Sequence, residues 1–359
     1  MTPANRADRL THALDGAGID LMLVTSLVNV RYLTGFTGTN GMVMLGSRTR
    51  AFVTDFRYLE QAAAEVDKSF ERVRAAQDLV ADLAGLLPEG QLRVGLESEH
   101  TSVARYERIR ELLPERAELV GIAGLVEKLR LVKDEHEVKL IAEATRIADE
   151  AFAALIAAGI KGRTERELAL TLEHDMRLRG ADGPSFRSIV AAGAHGALPH
   201  AEPRDVTVKA GDVVVIDWGA IFEGYCSDCT RTLAVGEIGP EAREAYELVR
   251  RAQLEGLDAV RAGGDGKAID KVVRDLITAA GHQEHFGHGL GHGVGLEIHE
   301  APTLSVRSTD TLAAGTVVTV EPGVYLPGQF GIRIEDLVVV GEESIRILTS
   351  LPKALEVVD

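Results

Sequence analysis

Two stretches of the sequence repeat one pattern that strongly limits how the chain can fold. Residues 211–217 read Gly-Asp-Val-Val-Val-Ile-Asp, and residues 315–321, 104 positions later, read Gly-Thr-Val-Val-Thr-Val-Glu. Each is an apolar, β-branched run that ends in a carboxylate six residues after its glycine. Runs of this kind predict buried strands. The repeat therefore predicts a duplicated β structure with an acid at the end of each copy.

The first copy contains a second acid that a hairpin would bring back to the first. Alternation along a strand puts every second side chain on one face. An antiparallel return centred between Phe222 and Glu223 would set Asp228 opposite Asp217. Directly paired residues have Cβ atoms about 4.5–5.5 Å apart. The first hairpin is thus predicted to present two carboxylates on one face.

The second copy predicts the same arrangement. Its turn signal is Pro327-Gly328, and a return centred on Gly328 would set Glu335 opposite Glu321. Four carboxylates brought together in an apolar sheet would repel one another, and they stay ionised only at a high cost unless cations neutralise them. A metal site is the simplest explanation. The alternative is that each acid merely ends a strand at a solvated edge, which describes single acids better than four in a repeated frame.

A histidine cluster follows between residues 282 and 299, where five histidines fall within eighteen residues. Glycines alternate with other residues from Gly287 to Gly295, and glycine lets the backbone approach a ligand closely. This alternation favours a shaped loop over an unstructured polyhistidine tract. Spacing alone leaves open which histidine would bind a metal.

Composition and charge narrow the function classes. The chain has 359 residues, of which 45% are apolar, enough for two domains with real cores. Its net charge of −16 and its lack of a Lys/Arg-rich block argue against nucleic acid and anionic membranes as partners. Its two cysteines, Cys226 and Cys229, do not form a disulfide framework. Residues three apart on a strand face opposite ways, so this C-x-x-C pair is not predicted to bind one ion.

The remaining pattern predicts two domains and a cytoplasmic protein. The first ten residues lack the apolar segment of a signal peptide, and no run reaches the ~18 apolar residues of a membrane span. Residues 1–122 predict a small α/β unit in which residues 29–38 form a turn-rich loop. Residues 123–359 predict long helices interleaved with antiparallel strands in two similar halves, an α+β domain with pseudo-twofold symmetry. Capping boxes at Asp134-x-x-Glu137 and Thr164-x-x-Glu167 open two of the helices.

Several motifs of the second domain resemble the signatures of one enzyme family. They are Asp217-x-Gly219, Gly224-Tyr-Cys-Ser-Asp228-x-Thr-Arg231, His288-x-x-x-His292-x-x-Gly-Leu-x-x-His299-Glu300, Glu321-Pro-Gly and Gly331-Ile-Arg-Ile-Glu335-Asp336. Together they resemble the pita-bread dinuclear metallopeptidases, which include creatinase and methionine aminopeptidase. Within that group the chain looks most like the Xaa-Pro peptidases, prolidase and aminopeptidase P.

The resemblance implies a fold, a ligand set and cofactors. It implies a C-terminal pita-bread fold preceded by a smaller α/β creatinase-like N-terminal domain. It also implies two divalent metal ions, with Mn²⁺ expected first and Co²⁺ or Zn²⁺ as alternatives, and a homodimer. Oxygen-rich ligation with one nitrogen agrees with Mn²⁺. The implied metal ligands are Asp217, Asp228, His292, Glu321 and Glu335, with Asp228 and Glu335 bridging the two ions.

The resemblance also implies catalytic and substrate-binding residues. Glu321, His299 and His200 match catalytic positions, Glu321 as the residue that accepts and returns a proton. His200 and His299 match substrate-contacting histidines. The other implied substrate-binding residues are His288, which lines the proline pocket, and Arg333 and Tyr325 beside it.

The activity implied is that of a metal-dependent Xaa-Pro dipeptidase, or prolidase. It would hydrolyse the bond before proline with a metal-bridging hydroxide, on small peptides that have proline at the second position. Aminopeptidase P, which releases the first residue from longer Xaa-Pro-Yaa peptides, is the alternative. A methionine aminopeptidase, a metal-free creatinase-like hydrolase and a non-catalytic binding protein on the same scaffold are further readings.

The sequence departs from the prolidase pattern at one place. Ala301-Pro302-Thr303 stands where that pattern often carries an arginine that binds the free carboxylate of a dipeptide. Either longer peptides are accepted, or another cation takes over that role. The candidates named by the sequence are Arg333, Arg48 and Arg50.

Overall fold

The computed structural model describes residues 1–81 and 83–359. It divides into two compact units, residues 1–130 and 131–359. The sequence suggests a division after residue 122, eight residues earlier than residue 130. The difference arises because the Asn29 side chain binds both Glu127 and Arg130, which keeps the short helix Glu127–Arg130 with the first unit.

The first unit is a mixed sheet with helices packed against it. Its described strands run in the spatial order β4-β3-β2-β1-β5-β6. The strands are β1 (Leu21–Val24), β2 (Gly41–Gly46), β3 (Thr49–Thr54), β4 (Glu71–Arg74), β5 (Leu92–Glu97) and β6 (Ala117–Ile122). The helices are α1 (Pro3–Ala17), α2 (Leu27–Thr34), α3 (Leu59–Glu65), α4 (Leu83–Leu86), α5 (Val103–Leu112) and α6 (Glu127–Arg130). This unit matches the predicted α/β class, but α2 occupies most of the segment predicted as a loop.

The second unit begins with long helices whose ends agree with the sequence signals. The helices are α7 (Glu135–Ala157), α8 (Glu165–Leu178), α9 (Pro240–Ala259) and α10 (Gly266–Ala279). Asp134 and Glu137 form a capping box at the start of α7, and Thr164 and Glu167 form one at the start of α8. Each box satisfies backbone N–H groups that a helix start leaves without partners. Both predicted capping boxes are confirmed.

The strands of the second unit form two sets that succeed each other along the chain. The first set is β7 (Gly183–Pro184), β8 (Ile189–Ala192), β9 (Val213–Trp218), β10 (Ala220–Phe222), β11 (Tyr225–Cys226) and β12 (Cys229–Val235). The second set is β13 (Gly291–Gly293), β14 (Glu300–Leu304), β15 (Val317–Val320), β16 (Gly323–Leu326), β17 (Phe330–Arg333), β18 (Asp336–Val340), β19 (Ile345–Ile347) and β20 (Glu356–Val358).

These strands give each half a carboxylate-bearing hairpin between flanking strands. In the first half β9 lies between β8 and β12, and in the second half β15 lies between β13 and β18. The predicted duplication is therefore visible in the order of the elements. Two large apolar cores pack against these strands, and the one around β15 also includes Val213 of β9 and Ala234 of β12. In the other core, Trp218 stacks on Phe152 with ring centroids 4.2 Å apart and donates to the carbonyl of Ala148.

The two cysteines are buried and unbonded to each other. Cys226 lies in β11 and Cys229 in β12, and both side chains pack in the apolar interior. Among the helices of residues 1–81 and 83–359, none has the length and apolar character needed to cross a membrane.

Candidate metal centre

The first hairpin differs in register from the prediction. Asp217 of β9 pairs with Thr230 of β12, so Asp228 is a diagonal neighbour of Asp217 and the predicted direct pairing is wrong. The tip explains the shift. Glu223 and Gly224 both have positive φ, 44° and 77°, and such residues form the two-residue turn that suits a twisted hairpin. The turn therefore lies one residue later than predicted, because Gly224 adopts positive φ easily and Phe222 would not.

The second hairpin has the predicted register. Gly323 pairs with Arg333 and Val320 pairs with Asp336. The pairs on both sides keep one frame, in which Glu321 lies opposite Glu335. The prediction of a turn centred on Gly328 is confirmed, and Gly328 has a φ of 75°.

Carboxylates from both hairpins converge on one point. One oxygen each of Asp217, Asp228 and Glu335 lie within 4.8 Å of one another. Asp228 and Glu335 are buried, and Asp217 is half-buried. Three acids from two separate hairpins thus share a space that would fit an ion.

His292 and Glu321 complete this cluster. The His292 Nε2 atom lies 3.3 Å from Glu321 Oε1 and 3.5 Å from Asp228 Oδ2. Its Nδ1 atom is 3.1 Å from the carbonyl of Gly293. Nδ1 donates its proton to that carbonyl, so Nε2 is the ring nitrogen that faces the acids and would bind a metal when it is deprotonated. Histidines that bind metals in proteins generally donate their other ring N–H in this way.

Hydrogen bonds hold the carboxylates but leave one oxygen of two of them without a partner. Arg333 Nη2 donates to Asp217 Oδ2 at 2.6 Å, and Thr230 Oγ1 donates to Glu335 Oε2 at 2.7 Å. The other oxygens, Asp217 Oδ1 and Glu335 Oε1, are buried without a hydrogen-bond partner. Buried acceptors without partners are costly. Cations between these oxygens would satisfy both.

Arg333 connects the acids to the neighbouring pocket. Its Nε donates to Thr230 Oγ1 at 3.0 Å, and its Nη1 donates to the Tyr325 hydroxyl at 2.6 Å. That hydroxyl in turn lies 2.9 Å from His288 Nε2, whose Nδ1 contacts the carbonyl of Gly289 at 2.8 Å. Tyr325 therefore donates to His288 and accepts from Arg333. The chain of hydrogen bonds fixes the orientation of the His288 ring.

Burial and mutual repulsion shift the titration of the acids. Burial raises the pKa of Asp228 well above its usual value, and the charges of Glu335 and Asp217 add to the effect. Burial, then the charges of Glu321 and Asp217, raise the pKa of Glu335 in the same way. Both shifts express how poorly these carboxylates tolerate ionisation side by side without a positive charge.

Glu321 behaves differently because it faces a histidine. Burial alone would raise its pKa, but the hydrogen bond and charge of His292, with His288 and Arg333, lower the pKa of Glu321 to about 2. The donor set as a whole is four carboxylates and one imidazole nitrogen. Such a set suits hard or borderline divalent ions better than ions that prefer thiolates. The residues fit a pair of divalent cations.

A cavity of about 500 Å³ opens onto the cluster. Every predicted site residue except Tyr325 lines it; Tyr325 lies behind, bonded to Arg333 and His288. His200 and His299 are part of the lining, and the His299 ring centroid is 4.3 Å from that of His292. Burial and the charge of His292 lower the pKa of His299. Phe186, Ile189 and Ile298 provide apolar wall.

Two residues of the centre were not singled out from the sequence. Thr230 binds Glu335 and Arg333, and Thr319 Oγ1 bonds both to Glu321 Oε1 at 3.1 Å and to the backbone N–H of His292 at 3.0 Å. A signal for both existed. Thr230 lies two residues after Asp228 and Thr319 two residues before Glu321, so strand alternation puts each on the same face as its acid.

Comparison with known families gives two matches that together span most of the chain. Residues 139–342 match the model described as metallopeptidase family M24. Residues 6–132 match the model described as the creatinase/prolidase N-terminal domain.

Known proteins with similar sequences and structures cover the chain almost completely. An uncharacterised peptidase of Bacillus subtilis is 43% identical over 98% of this chain and 99% of its own length. The structure of an Xaa-Pro dipeptidase from Bacillus anthracis has 41% identity and a TM-score of 0.96, covering 99% of this chain and 100% of that one. The structure of an X-Pro aminopeptidase from Thermotoga maritima has 39% identity and a TM-score of 0.90, covering 98% and 100%.

These similarities bear on the fold predicted from the sequence. The predicted fold class, an α+β pita-bread domain preceded by a creatinase-like α/β domain, is confirmed by the family matches and by the structural agreement.

Proposed function

This chain belongs to metallopeptidase family M24, and we propose that it is a metal-dependent Xaa-Pro dipeptidase. It is a peptidase of that family. The observation that carries the proposal is the convergence of four carboxylates and His292 at the base of one cavity, with buried oxygens of Asp217 and Glu335 that lack partners. The Bacillus anthracis relative is named an Xaa-Pro dipeptidase, which supports the substrate class.

The proposed ligands of two divalent ions are the five residues of the cluster. In this proposal Asp228 and Glu335 would each contribute a carboxylate to the ions. Arg333 and Thr230 keep Asp217 and Glu335 in place by hydrogen bonds, which leaves the other oxygen of each carboxylate for a cation. Asp217, His292 and Glu321 would supply the remaining ligands.

The proposed chemistry is hydrolysis of the bond that precedes proline. A pair of divalent ions supplies polarisation of the scissile carbonyl and a lower pKa for attacking water. Glu321 accepts the proton of that water and returns it to the leaving nitrogen. The lowered pKa of Glu321 means that its carboxylate is ionised at neutral pH. His200 and His299, at the wall of the cavity, donate to the oxygen on which negative charge develops.

A proline nitrogen in a peptide bond carries no N–H, so enzymes that read that group handle it poorly. In the proposed complex the ring packs in a pocket beside His288, which Tyr325 holds by its hydroxyl. The rigid His288-Tyr325-Arg333 chain would provide a wall that does not need to rearrange when the substrate enters.

Aminopeptidase P activity is the second candidate, because the Thermotoga maritima relative is named an X-Pro aminopeptidase. The two candidates differ in the length of peptide that the cavity accepts. Thr303 stands where the prolidase pattern has the arginine that binds the carboxylate of a dipeptide. Arg333 is a poor substitute because its guanidinium is buried against Asp217, Tyr325 and Thr230.

The experiment is a peptide panel assayed after chelation and reloading with Mn²⁺, Co²⁺ or Zn²⁺. Xaa-Pro dipeptides should be cleaved only by the reloaded protein, and faster than matched Xaa-Pro-Yaa tripeptides. A faster rate on the tripeptides favours aminopeptidase P. Absence of cleavage of any Xaa-Pro peptide in all three metals would reject both candidates.

Glu321→Gln tests the proton-transfer role. The substitution keeps the shape of the side chain, so the fold should persist by circular dichroism while kcat drops by about 10² or more, the usual range for a general base. Near-normal turnover would remove Glu321 from this role. The preference for Mn²⁺ and the homodimer are proposals from the resemblance, to be tested by metal analysis of the purified protein and by sedimentation.

A further inference from the structure

One arginine on the cavity wall takes no part in the chemistry described above. Arg187 lies two residues before Ile189, and Ile189 pairs directly with Asp217 in the β8–β9 ladder. The intervening chain stays beside the hairpin, because the backbone N–H of Ser185 donates to the carbonyl of Gly219 at 2.9 Å. Two residues of extended chain span about 7 Å. Arg187 therefore starts about one side-chain length from the carboxylate cluster.

The Arg187 side chain has a weak partner. Its Nη1 atom lies 2.7 Å from Glu202 Oε1, and the two side chains are 72% and 77% exposed. Exposed ion pairs of this kind contribute little stability because water screens them. Glu202 also lines the cavity, two residues after His200. A ligand carboxylate entering the cavity could therefore replace Glu202 at low cost.

The cavity lining carries more acidic side chains than arginines. It includes five acids, at positions 202, 217, 228, 321 and 335, and the arginines among the described lining residues are Arg187 and Arg333. Arg333 is 3% exposed and bonded to Asp217. A dipeptide that places its scissile bond at the cluster carries its own terminal carboxylate one residue, about 3.5 Å, further out. Of these two guanidinium groups, Arg187 is the one with an exposed and exchangeable partner.

We propose that Arg187 binds the free C-terminal carboxylate of a dipeptide, and that Glu202 holds Arg187 in place and competes for it when the site is empty. The proposal rests on the proposed function and adds a residue that selects the substrate class. The guanidinium can form two parallel hydrogen bonds with a carboxylate, which makes it a stronger and more directional partner than an ammonium group. Peptides that lack this carboxylate gain nothing from Arg187.

The test compares a dipeptide with its neutral analogue. Leucyl-proline and leucyl-prolinamide differ in the terminal group alone. Arg187→Ala in the Mn²⁺-loaded protein should raise KM for leucyl-proline about tenfold with kcat changed by less than about twofold. KM for leucyl-prolinamide should stay the same. Equal changes for the two substrates, or an unchanged KM for leucyl-proline, would overturn the proposal.

Three further variants separate charge, geometry and competition. Arg187→Lys should raise KM for leucyl-proline by only about threefold, because the charge stays while the paired hydrogen bonds are lost. Glu202→Gln should lower that KM, because it removes the competing carboxylate. Arg166→Ala is the matched control: Arg166 forms an exposed pair with Asp205 and does not line the cavity. It should leave both KM values unchanged.

A binding measurement separates this proposal from the proposed function. In the chelator-treated protein, which should not cleave the peptide, calorimetry should give a Kd for leucyl-proline that Arg187→Ala weakens about tenfold, with no such effect on leucyl-prolinamide. If leucyl-proline binds in this Arg187-dependent way but the parent protein cleaves no Xaa-Pro peptide, the proposed function fails and the carboxylate subsite stands. If Xaa-Pro peptides are cleaved and Arg187→Ala changes neither KM nor Kd, the subsite fails alone.

Discussion

The two carboxylate hairpins reach the same point by different geometries. The first turns through two residues, Glu223 and Gly224, and brings in Asp228 diagonally to Asp217. The second turns around Gly328 and brings Glu335 directly opposite its partner acid. The diagonal neighbour on a strand pair is about 7–8 Å away, against about 5 Å for a direct pair. The two hairpins therefore bring their carboxylates to the same place although the pairing register differs between them.

The largest expected effect comes from removing one acid of each hairpin. Asp228→Asn and Glu335→Gln should each lower kcat/KM by about 10³ or more, because a metal ligand contributes several kcal/mol to the transition state. If both hairpins supply ligands, bound Mn²⁺ measured by plasma mass spectrometry should decrease in both variants. Full metal content and activity in either one would show that its hairpin is dispensable. Circular dichroism controls for the fold.

Equivalent glycines allow a stability comparison of the two hairpins. Gly219 and Gly323 each follow the acid that ends the apolar run by two residues. A Cβ on Gly219 would lie 1.9 Å from the carbonyl oxygen of Ser227, whereas one on Gly323 would lie 2.6 Å from the Tyr325 hydroxyl. Backbone moves less readily than the end of a side chain. Gly219→Ala should cost about 3 kcal/mol of unfolding free energy and Gly323→Ala about 1 kcal/mol, measured in urea.

An equal cost for the two alanine variants would mean that the tight approach of Ser227 to the first hairpin relaxes easily. Gly287→Ala is a suitable control, because a Cβ there meets nothing within 4 Å, Gly287 has no positive φ and it lies outside the helices and strands. Its unfolding free energy should stay within about 0.5 kcal/mol of the parent protein.

A smaller effect should separate the two threonines that hold the acids. Thr230 links the hairpins, since it lies on β12 and bonds to Glu335, whereas Thr319 bonds to Glu321 of its own hairpin. Thr230→Val should raise the Mn²⁺ concentration needed for half-maximal activity about tenfold or more, because outer hydrogen-bond partners typically matter by 10–100-fold in metal affinity. Thr319→Val should have the smaller effect. The reverse order would mean that the link between hairpins contributes less than the contact within one.

The smallest expected effects come from the two turns. Glu223 has a φ of 44°, which side chains other than Gly, Asn and Asp rarely adopt. Glu223→Asn should raise the unfolding free energy by about 0.5 kcal/mol, because asparagine suits this position of a two-residue turn. Gly328→Ala should lower the unfolding free energy by about 1 kcal/mol. An added Cβ would meet no atom within 4 Å, so the cost comes from the φ of 75° alone, which alanine adopts poorly. A destabilised Glu223→Asn protein would contradict this account.

Local signals in the sequence were reliable where one residue type dictates one conformation. The capping boxes at Asp134 and Thr164, and the turn at Gly328, were predicted from short-range patterns and are confirmed. In each case a hydrogen bond or a left-handed glycine sets the geometry within a few residues. Distant parts of the chain do not need to be known.

The sequence predictions were wrong where two local conformations were similarly favourable, or where packing against distant residues sets the conformation. Residues 29–38 carry turn-forming residues, yet helix α2 covers Leu27–Thr34 because it buries Val30 and Leu33, and Gly35 ends it with a φ of 85°. The first hairpin could turn at either of two adjacent positions, and Gly224 decided between them. A shift of one residue at a tip changes every pair in a strand.

The candidate site was more predictable in its acids than in the residues that support them. Repetition singles out Asp217 and Glu321, and the resemblance supplied His292. Strand alternation puts Thr230 and Thr319 on the same faces as Asp228 and Glu321, but the side chain to which each threonine bonds is set by the folded structure. The Arg187–Glu202 pair could not be inferred at all, because it joins two segments whose proximity only the folded chain defines.

The four acids come from both halves of the domain, and this has a consequence for its stability. Asp217 and Asp228 belong to the first half and Glu321 and Glu335 to the second. The halves are already joined by one apolar core that includes Val213 and Val318, and by the buried Arg231–Asp336 ion pair. A bound pair of ions would add a further crosslink between them, so chelation should lower the unfolding free energy of the whole domain.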